Sequence, residues 1–561
     1  MAVEAGTRGR PPLGGQIATV SPWSRIYGFG SIYGKTIRDS RLSFIIAAGL
    51  LGGMSLVMAA GVSKIFPTPA TRLEIDQLIG SIPSSMVNLF GKPVGLGTLG
   101  GYFTWKYGAI FALGTALWSI MALSGTLAGE ASRGSLDMVA SAPFGKRRIA
   151  IEKVAAHLTM LGLALAALAV ACVTGSRLFG DAALGDTISP LSAVGFALWI
   201  GVLAIFFGGL ALALAPILGR SGSAGVASVV MVLLWLANGF DALAPLAIVS
   251  PFHWLAGHIA LVGMYDWQAL TFTGVMALAL LAIGVEMFAR RDLGVTAGLS
   301  MPGLPSAVLG VRGSIRRALG EQLPRAMSWG IGLGLMGALV AALVGTMANQ
   351  IGKDPNLSST FSTIFKGYDL TSAGGWLQLY VQLLLIAAGF GATTFVSKWA
   401  SDEKDGRLEM ILATPMGRAR WALSGGIAAI LAIVVMTILF AAGIGLGAAS
   451  GGVAVGDALI GSSALGLYAA AIVGVGVAVG GVWRTSIAAE VAAMVVLVTY
   501  LIDLVAPPLN LPDWVHQLAL TAHLGQPMIG VWDPAGIAAC VGLAVGGLLL
   551  GAWGMTRRDV G

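Results

Sequence analysis

The chain has 561 residues, of which 56% are hydrophobic and only 11% charged, and its mean hydropathy is +0.85. That is the composition of an integral membrane protein, and it leaves no room for a large soluble catalytic domain. The two cysteines, Cys172 and Cys540, lie in apolar runs, which excludes a disulfide framework or a thiolate metal site, and basic membrane-facing rims account for the net charge of +7 without nucleic acid.

Residues 1–41 form a polar, basic segment without an apolar h-region, so no removable signal peptide is expected and the first span directs insertion. A glycine-rich stretch at 28–36 imitates a phosphate-binding loop, but Phe29 stands where its first glycine is required. Six apolar runs long enough to cross a bilayer follow: Leu42–Val62, Ile110–Leu127, His157–Val173, Ala193–Leu218, Ala224–Phe240 and Thr271–Phe288. The outer loop Ser63–Lys106 is apolar around Ile75–Phe90, which predicts one or two short interfacial helices. Gly294–Pro324 reads as a cytoplasmic linker, rich in Gly, Pro and Arg and without periodicity. Six further spans are Met327–Met347, Leu377–Val396, Ile427–Ala449, Leu465–Val482, Ile487–Val505 and Ala535–Trp553. The expected fold is therefore all-α and polytopic: twelve transmembrane helices in two parallel six-helix halves, 42–293 and 325–561, joined through 294–324.

With a cytoplasmic N-terminus, 26 of the 33 Lys and Arg residues fall on the inner side. This bias predicts that both termini are cytoplasmic.

The halves repeat each other. The loop from Glu130, EASRGSLDMVASAPFGKRR, aligns without a gap at an offset of 272 with DEKDGRLEMILATPMGRAR from Asp402. Gly100–Gly101–Tyr102 matches Gly374–Gly375–Trp376, Arg220 matches Arg484, and the ArgArgAsp ends at 290 and 557 match. In the second copy Leu408, Ile411 and Leu412 share a helical stripe, while Arg407 and Glu409 point elsewhere. A short amphipathic helix ending near Pro415 is expected there. A basic rim at lipid head groups would explain one such loop, but it does not demand Gly, carboxylate and Pro at fixed spacing twice.

The pattern E-x-x-x-G-x-L-[DE]-x-x-x-[SA]-x-P followed by basic residues resembles the cytoplasmic coupling segment of ATP-binding-cassette (ABC) exporter permeases. The fused halves, the SerProPheHisTrp stretch at 250–254 and the ArgArgAsp ends are similar to bacterial, and in particular actinobacterial, permeases for polyketide-antibiotic (tetronasin-like) and multidrug export. The resemblance implies a plasma-membrane permease that moves hydrophobic or amphipathic small molecules among membrane lipids. It implies two copies of a separate ATPase subunit, which bind the ATP and Mg, and no cofactor in this chain. By match, Glu130, Gly134, Asp137 and Pro143 would serve one ATPase, and Asp402, Glu403, Gly406, Glu409 and Pro415 the other. The copies differ in that Asp402 replaces Glu, and Ser135 and Ser141 make the first copy less apolar. Two readings from other classes stand beside this one: an ion-coupled secondary transporter of twelve helices, and a membrane scaffold for envelope export.

The remaining candidates are few. His157, His253, His258, His516 and His523 lack metal-ligand spacing and are expected to pack at interfaces. Glu490 is an intramembrane carboxylate and hence a functional candidate, with Arg484 nearby; Val226 at the equivalent position excludes a site shared by both halves. Gly330-x-x-x-Gly334, Gly476-x-x-x-Gly480 and Gly542-x-x-x-Gly546 are expected to allow close helix packing.

Overall fold

A computed structural model describes residues 31–65, 67–77, 91–131, 145–239, 243–290, 313–353, 358, 367–509 and 512–558. All twelve expected spans are helices. In the first half they are Arg41–Ile65, Leu99–Ala131, Lys146–Phe179, a continuous Pro190–Leu236 that contains the fourth and fifth, and Trp267–Ala289. In the second half they are Ser314–Gly352, Ala373–Lys404, Arg418–Gly451, Ser463–Val482, Ala488–Leu509 and Pro534–Arg557. Among the described residues eleven helices are long and apolar enough to cross a membrane, and the shorter apolar Gly222–Leu236 is the fifth span. The chain is a multi-pass membrane protein. Its spans expose large apolar side chains such as Leu163, Val170, Phe272, Leu335, Ile438 and Leu549, as helices bathed in lipid do.

The fourth and fifth spans are divided at Gly219, whose φ of 69° and ψ of −177° interrupt the helix three residues after Pro216. Only glycine takes such a conformation without strain. Ala227, Met231 and Leu234 then pack with Leu203, Phe207 and Ala211, so the fifth span folds back along the fourth.

Span order within each half is the same. The first packs on the third, the second on the fourth and the fourth on the sixth; the seventh packs on the ninth, the eighth on the tenth and the tenth on the twelfth. The third and ninth spans, Lys146–Phe179 and Arg418–Gly451, are each 34 residues long and stand 272 apart at both ends. The approach to the last span also repeats. A 3-10 turn, Ala260–Val262 or Pro527–Ile529, is closed by a left-handed glycine, Gly263 or Gly530, and an aspartate, Asp266 or Asp533, then caps the helix. Gly100 and Gly374 press against these turns, since a Cβ would lie 2.7 Å from Leu261 O or from the Ile529 side chain. The halves meet where the eleventh span packs on the first, and one buried cluster runs through both.

Several boundaries differ from the sequence expectation. The second span begins at Leu99, eleven residues before the apolar run, because Tyr102, Phe103 and Trp105 are buried in the bundle. Lys106 therefore lies within the helix, its amine donating to the Tyr102 hydroxyl at 3.1 Å. The seventh span begins at Ser314 and runs through Pro324, so residues 314–324 of the expected linker are helix. A helix spans Pro69–Gln77, ahead of most of the stretch Ile75–Phe90 where short helices are expected, and 78–90 lies outside the described residues. Residues 32–36 of the loop-like N-terminal stretch are helical, within Ile32–Asp39.

The glycine stripes divide. Gly330 and Gly334 pack on Leu439, and Gly476 and Gly480 on Val396 and Trp399. Gly542 and Gly546 face open space; the packed stripe on that helix is Gly547 and Gly551, against Gly474 and Val477. The expectation had the right motif in the wrong register, one face round the helix.

Candidate coupling site at the basic end

The segment after the eighth span, at the basic end, is built by a helix that stops, reverses and restarts. The eighth span ends at Lys404, and Asp405 closes it by donating its backbone N–H to Ser401 O. Gly406 follows with φ +69°, a conformation that costs an L-residue roughly 1 kcal/mol or more. The short helix Arg407–Leu412 comes next, and Leu408, 1% exposed, anchors it to the bundle. Ile411 and Leu412 are half-buried beside it, whereas Glu409 and Met410 face solvent. Pro415 cannot continue a helix, and Gly417 opens the ninth span. The apolar stripe and the stop match the sequence expectation.

The acidic residues at the exit turn inward. Asp402 accepts from the Trp421 indole at 3.3 Å and faces Arg407 at 3.7 Å. Arg407 also donates to Asp405 at 2.9 Å and Ser401 at 3.3 Å. Glu403 accepts from the Thr485 hydroxyl at 2.5 Å and from Arg558, and Arg558 in turn donates to Trp483 O at 3.3 Å. Arg418 donates to the Arg558 carbonyl at 2.8 Å. Four chain ends thus converge on Glu403: those of the eighth and twelfth spans, the start of the ninth, and the turn between the tenth and eleventh. The exposed residues of the segment are Lys404, Asp405, Gly406, Glu409, Met410, Ala413, Thr414, Pro415, Gly417 and Arg420.

A cleft with about 50 Å³ of open space lies behind this segment, lined among others by Gln322, Lys398, Trp399, Asp402, Ile411 and Trp421. Gln322 Oε1, Trp399 Nε1 and Asp402 Oδ1 lack hydrogen-bond partners there. The space suits a few waters and is too small for a drug-sized guest. Glu321 bridges Lys398 at 2.8 Å and Arg317 at 3.3 Å at its mouth.

In the first copy Glu130 lies in the last turn of the second span, and Gly134, Asp137 and Pro143 fall outside the described residues. The third span starts after Gly145, as the ninth does after Gly417. Its ion pairs differ. Glu286 of the sixth span takes Arg147 at 2.9 Å and Arg290 at 2.7 Å, and the Arg147 side chain is 70% exposed.

Glu490 is exposed in the first turn of the eleventh span, a position where a carboxylate complements the helix dipole. Its ion pair with Arg484 is not formed. The carboxylate with internal partners is Asp503, three turns further on, which accepts from Gln382 at 3.3 Å and from Thr521. Nearby, burial together with the Asp503 charge pushes the Tyr368 phenol above its ordinary range. Among the described residues no group of three metal-ligating side chains is assembled. His258 bridges Gly195 O and Asp266 N, and His157 packs on Trp118 and pairs with Ser119 at 2.9 Å, which are packing roles.

Residues 318–556 match the family described as multidrug efflux system permease Rv1217c, C-terminal domain. A search of curated proteins returned no match. The matched stretch begins four residues into the seventh span and ends one residue before the last helix does, so it coincides with the second set of six spans. Together with the apolar helices, this similarity supports reading the chain as a transport permease.

Proposed function

We propose that the chain is the membrane permease of an ATP-driven exporter of hydrophobic or amphipathic compounds, powered by two separate ATPase subunits at the cytoplasmic face. The observation that carries this reading is the anchored helix Arg407–Leu412, held to the bundle by Leu408 while Glu409 and Met410 stand free at the basic end. A helix of this kind, repeated in sequence in the other half, is a place for a soluble partner to push. Closure of the partner subunits would move the two inner segments together and rock the halves between inward- and outward-facing arrangements. The spans present mostly apolar and small side chains, so a guest gains chiefly from desolvation and dispersion. That favours an antibiotic, drug or lipid over a small polyanion.

The test is copurification of the permease with an ATPase subunit, followed by vanadate-sensitive hydrolysis in the presence of apolar drugs. Replacing Gly406 and Glu409, with the matching Gly134 and Asp137, should leave the permease inserted but weaken ATPase binding and transport. Unchanged transport in that variant, or transport abolished by ionophores and indifferent to vanadate, would overturn the reading. A cysteine placed in 294–313 should react with an impermeant reagent only from the cytoplasmic side.

A further inference from the structure

The Glu403–Arg558 pair is not repeated in the sequence of the other half. At the 272 offset the position of Glu403 is taken by Ala131, while Arg558 corresponds to Arg291 in the repeated ArgArgAsp ends. The first half joins its last span to its third through Glu286 and Arg147, a pair whose side chains are 34% and 70% exposed. In the second half the pair is 20% and 13% exposed, and both members hold further bonds, to Thr485, Trp483 O and Met555. Water and salt screen the first tie and largely miss the second.

We infer that Glu403 and Arg558 are a positioning pair that locks the second inner segment to the end of the last span, so that displacement of Arg407–Leu412 is passed to the twelfth helix. The geometry supports this on two further counts. Arg418, at the segment's far end, also grips the Arg558 carbonyl at 2.8 Å, so both flanks of the segment are fastened to one residue. The twelfth span is in turn packed on the tenth with glycines against backbone, at Gly474, Gly547 and Gly551, leaving little slack to absorb the movement. The proposal rests on the coupling reading for its role in transport, but the lock itself is a property of the permease alone.

Two measurements separate them. In the purified permease, nitroxides at M410C and T556C report the distance between the segment and the last span; native Cys172 and Cys540 are buried and do not compete for label. E403Q and R558Q should broaden this distance distribution, the exchange E403R/R558E should narrow it again, and R147Q should leave it unchanged. In the reconstituted complex with its ATPase, E403Q and R558Q should keep ATPase affinity and lower transport per ATP about tenfold, equivalent to ~1.4 kcal/mol, with the exchange recovering at least part of the loss. An unbroadened distribution in both single variants overturns the lock whether or not an ATPase binds. A broadened distribution with unchanged transport per ATP overturns its transmitting role, and failure to bind any ATPase overturns the parent reading while the distance measurement still decides the lock.

Discussion

The two halves share span order and the turns before their last spans, and their basic loops repeat in sequence, yet their buried ion pairs lie at opposite ends. In the first half a buried ion pair lies at the end remote from the basic loops: Arg72 of Pro69–Gln77 meets Asp186 at 2.5 Å, both nearly fully buried, and Asp186 also accepts from the backbone of Leu99 and Asp181. In the second half the network sheltered from solvent lies at the basic end, around Glu403 and Arg558. Helix packing differs too, toward the end of the spans remote from the basic loops. On the seventh and ninth spans Gly443, Gly447 and Gly451 lie against the backbones of Gly334, Ala338 and Ala341. On the first and third, a Cβ at Gly52 would have 3.6 Å of room to Ala167 O, and Gly49, Gly53 and Gly162 face open space. A duplicated fold has thus kept its topology while placing its buried ion pairs at opposite ends and its backbone-to-backbone packing in one copy.

The contrast can be attacked directly. Asp186→Asn leaves a buried guanidinium without its anion and should cost about 3–5 kcal/mol, read as a lowered thermal midpoint in detergent; a loss under 1 kcal/mol would mean the outer tie is not structural. Gly443→Ala places a methyl against backbone that cannot yield and should cost about 1–3 kcal/mol, whereas Gly52→Ala should be neutral within roughly 0.5 kcal/mol; equal effects would erase the packing difference between the halves. Arg147→Gln removes an exposed pair and should cost at most about 1 kcal/mol, less than Glu403→Gln in the same melting assay. Glu490→Gln should alter neither melting nor transport by a measurable amount, since the carboxylate faces outward; lost transport would return Glu490 to the pathway.

Much of this architecture was legible in the residues, because apolar run length and helical period report on lipid contact and on local faces. All twelve spans and the stripe Leu408, Ile411, Leu412 belong to that class. What was not legible depended on distant partners. Lys106 read as the end of a loop because hydropathy assigns a charge to water, but Tyr102 on the same helix receives its amine inside the bundle. The sequence match assigns Asp402 and Glu403 to a segment facing a partner, but their inward turn depends on Trp421, Thr485 and Arg558, 19, 82 and 155 residues away. Asp503 and Glu490 are carboxylates of one apolar run that hydropathy does not distinguish; only Gln382 and Thr521 set Asp503 apart. The stripe at Gly542 and Gly546 failed for a related reason: spacing identifies small residues but not which side of the helix meets a neighbour.

The glycine ladder between the seventh and ninth spans limits how such a protein can move. Helices separated by layered side chains slide by changing rotamers, a soft and gradual deformation. Helices in backbone contact at Gly334–Gly443, Ala338–Gly447 and Ala341–Gly451 have no rotamers to change at the seam, so a shift of one against the other has to open a gap in a medium that offers nothing to fill it. This pair therefore behaves as a single beam, and any alternation between two shapes must hinge at side-chain-lined seams such as that between the first and eleventh spans.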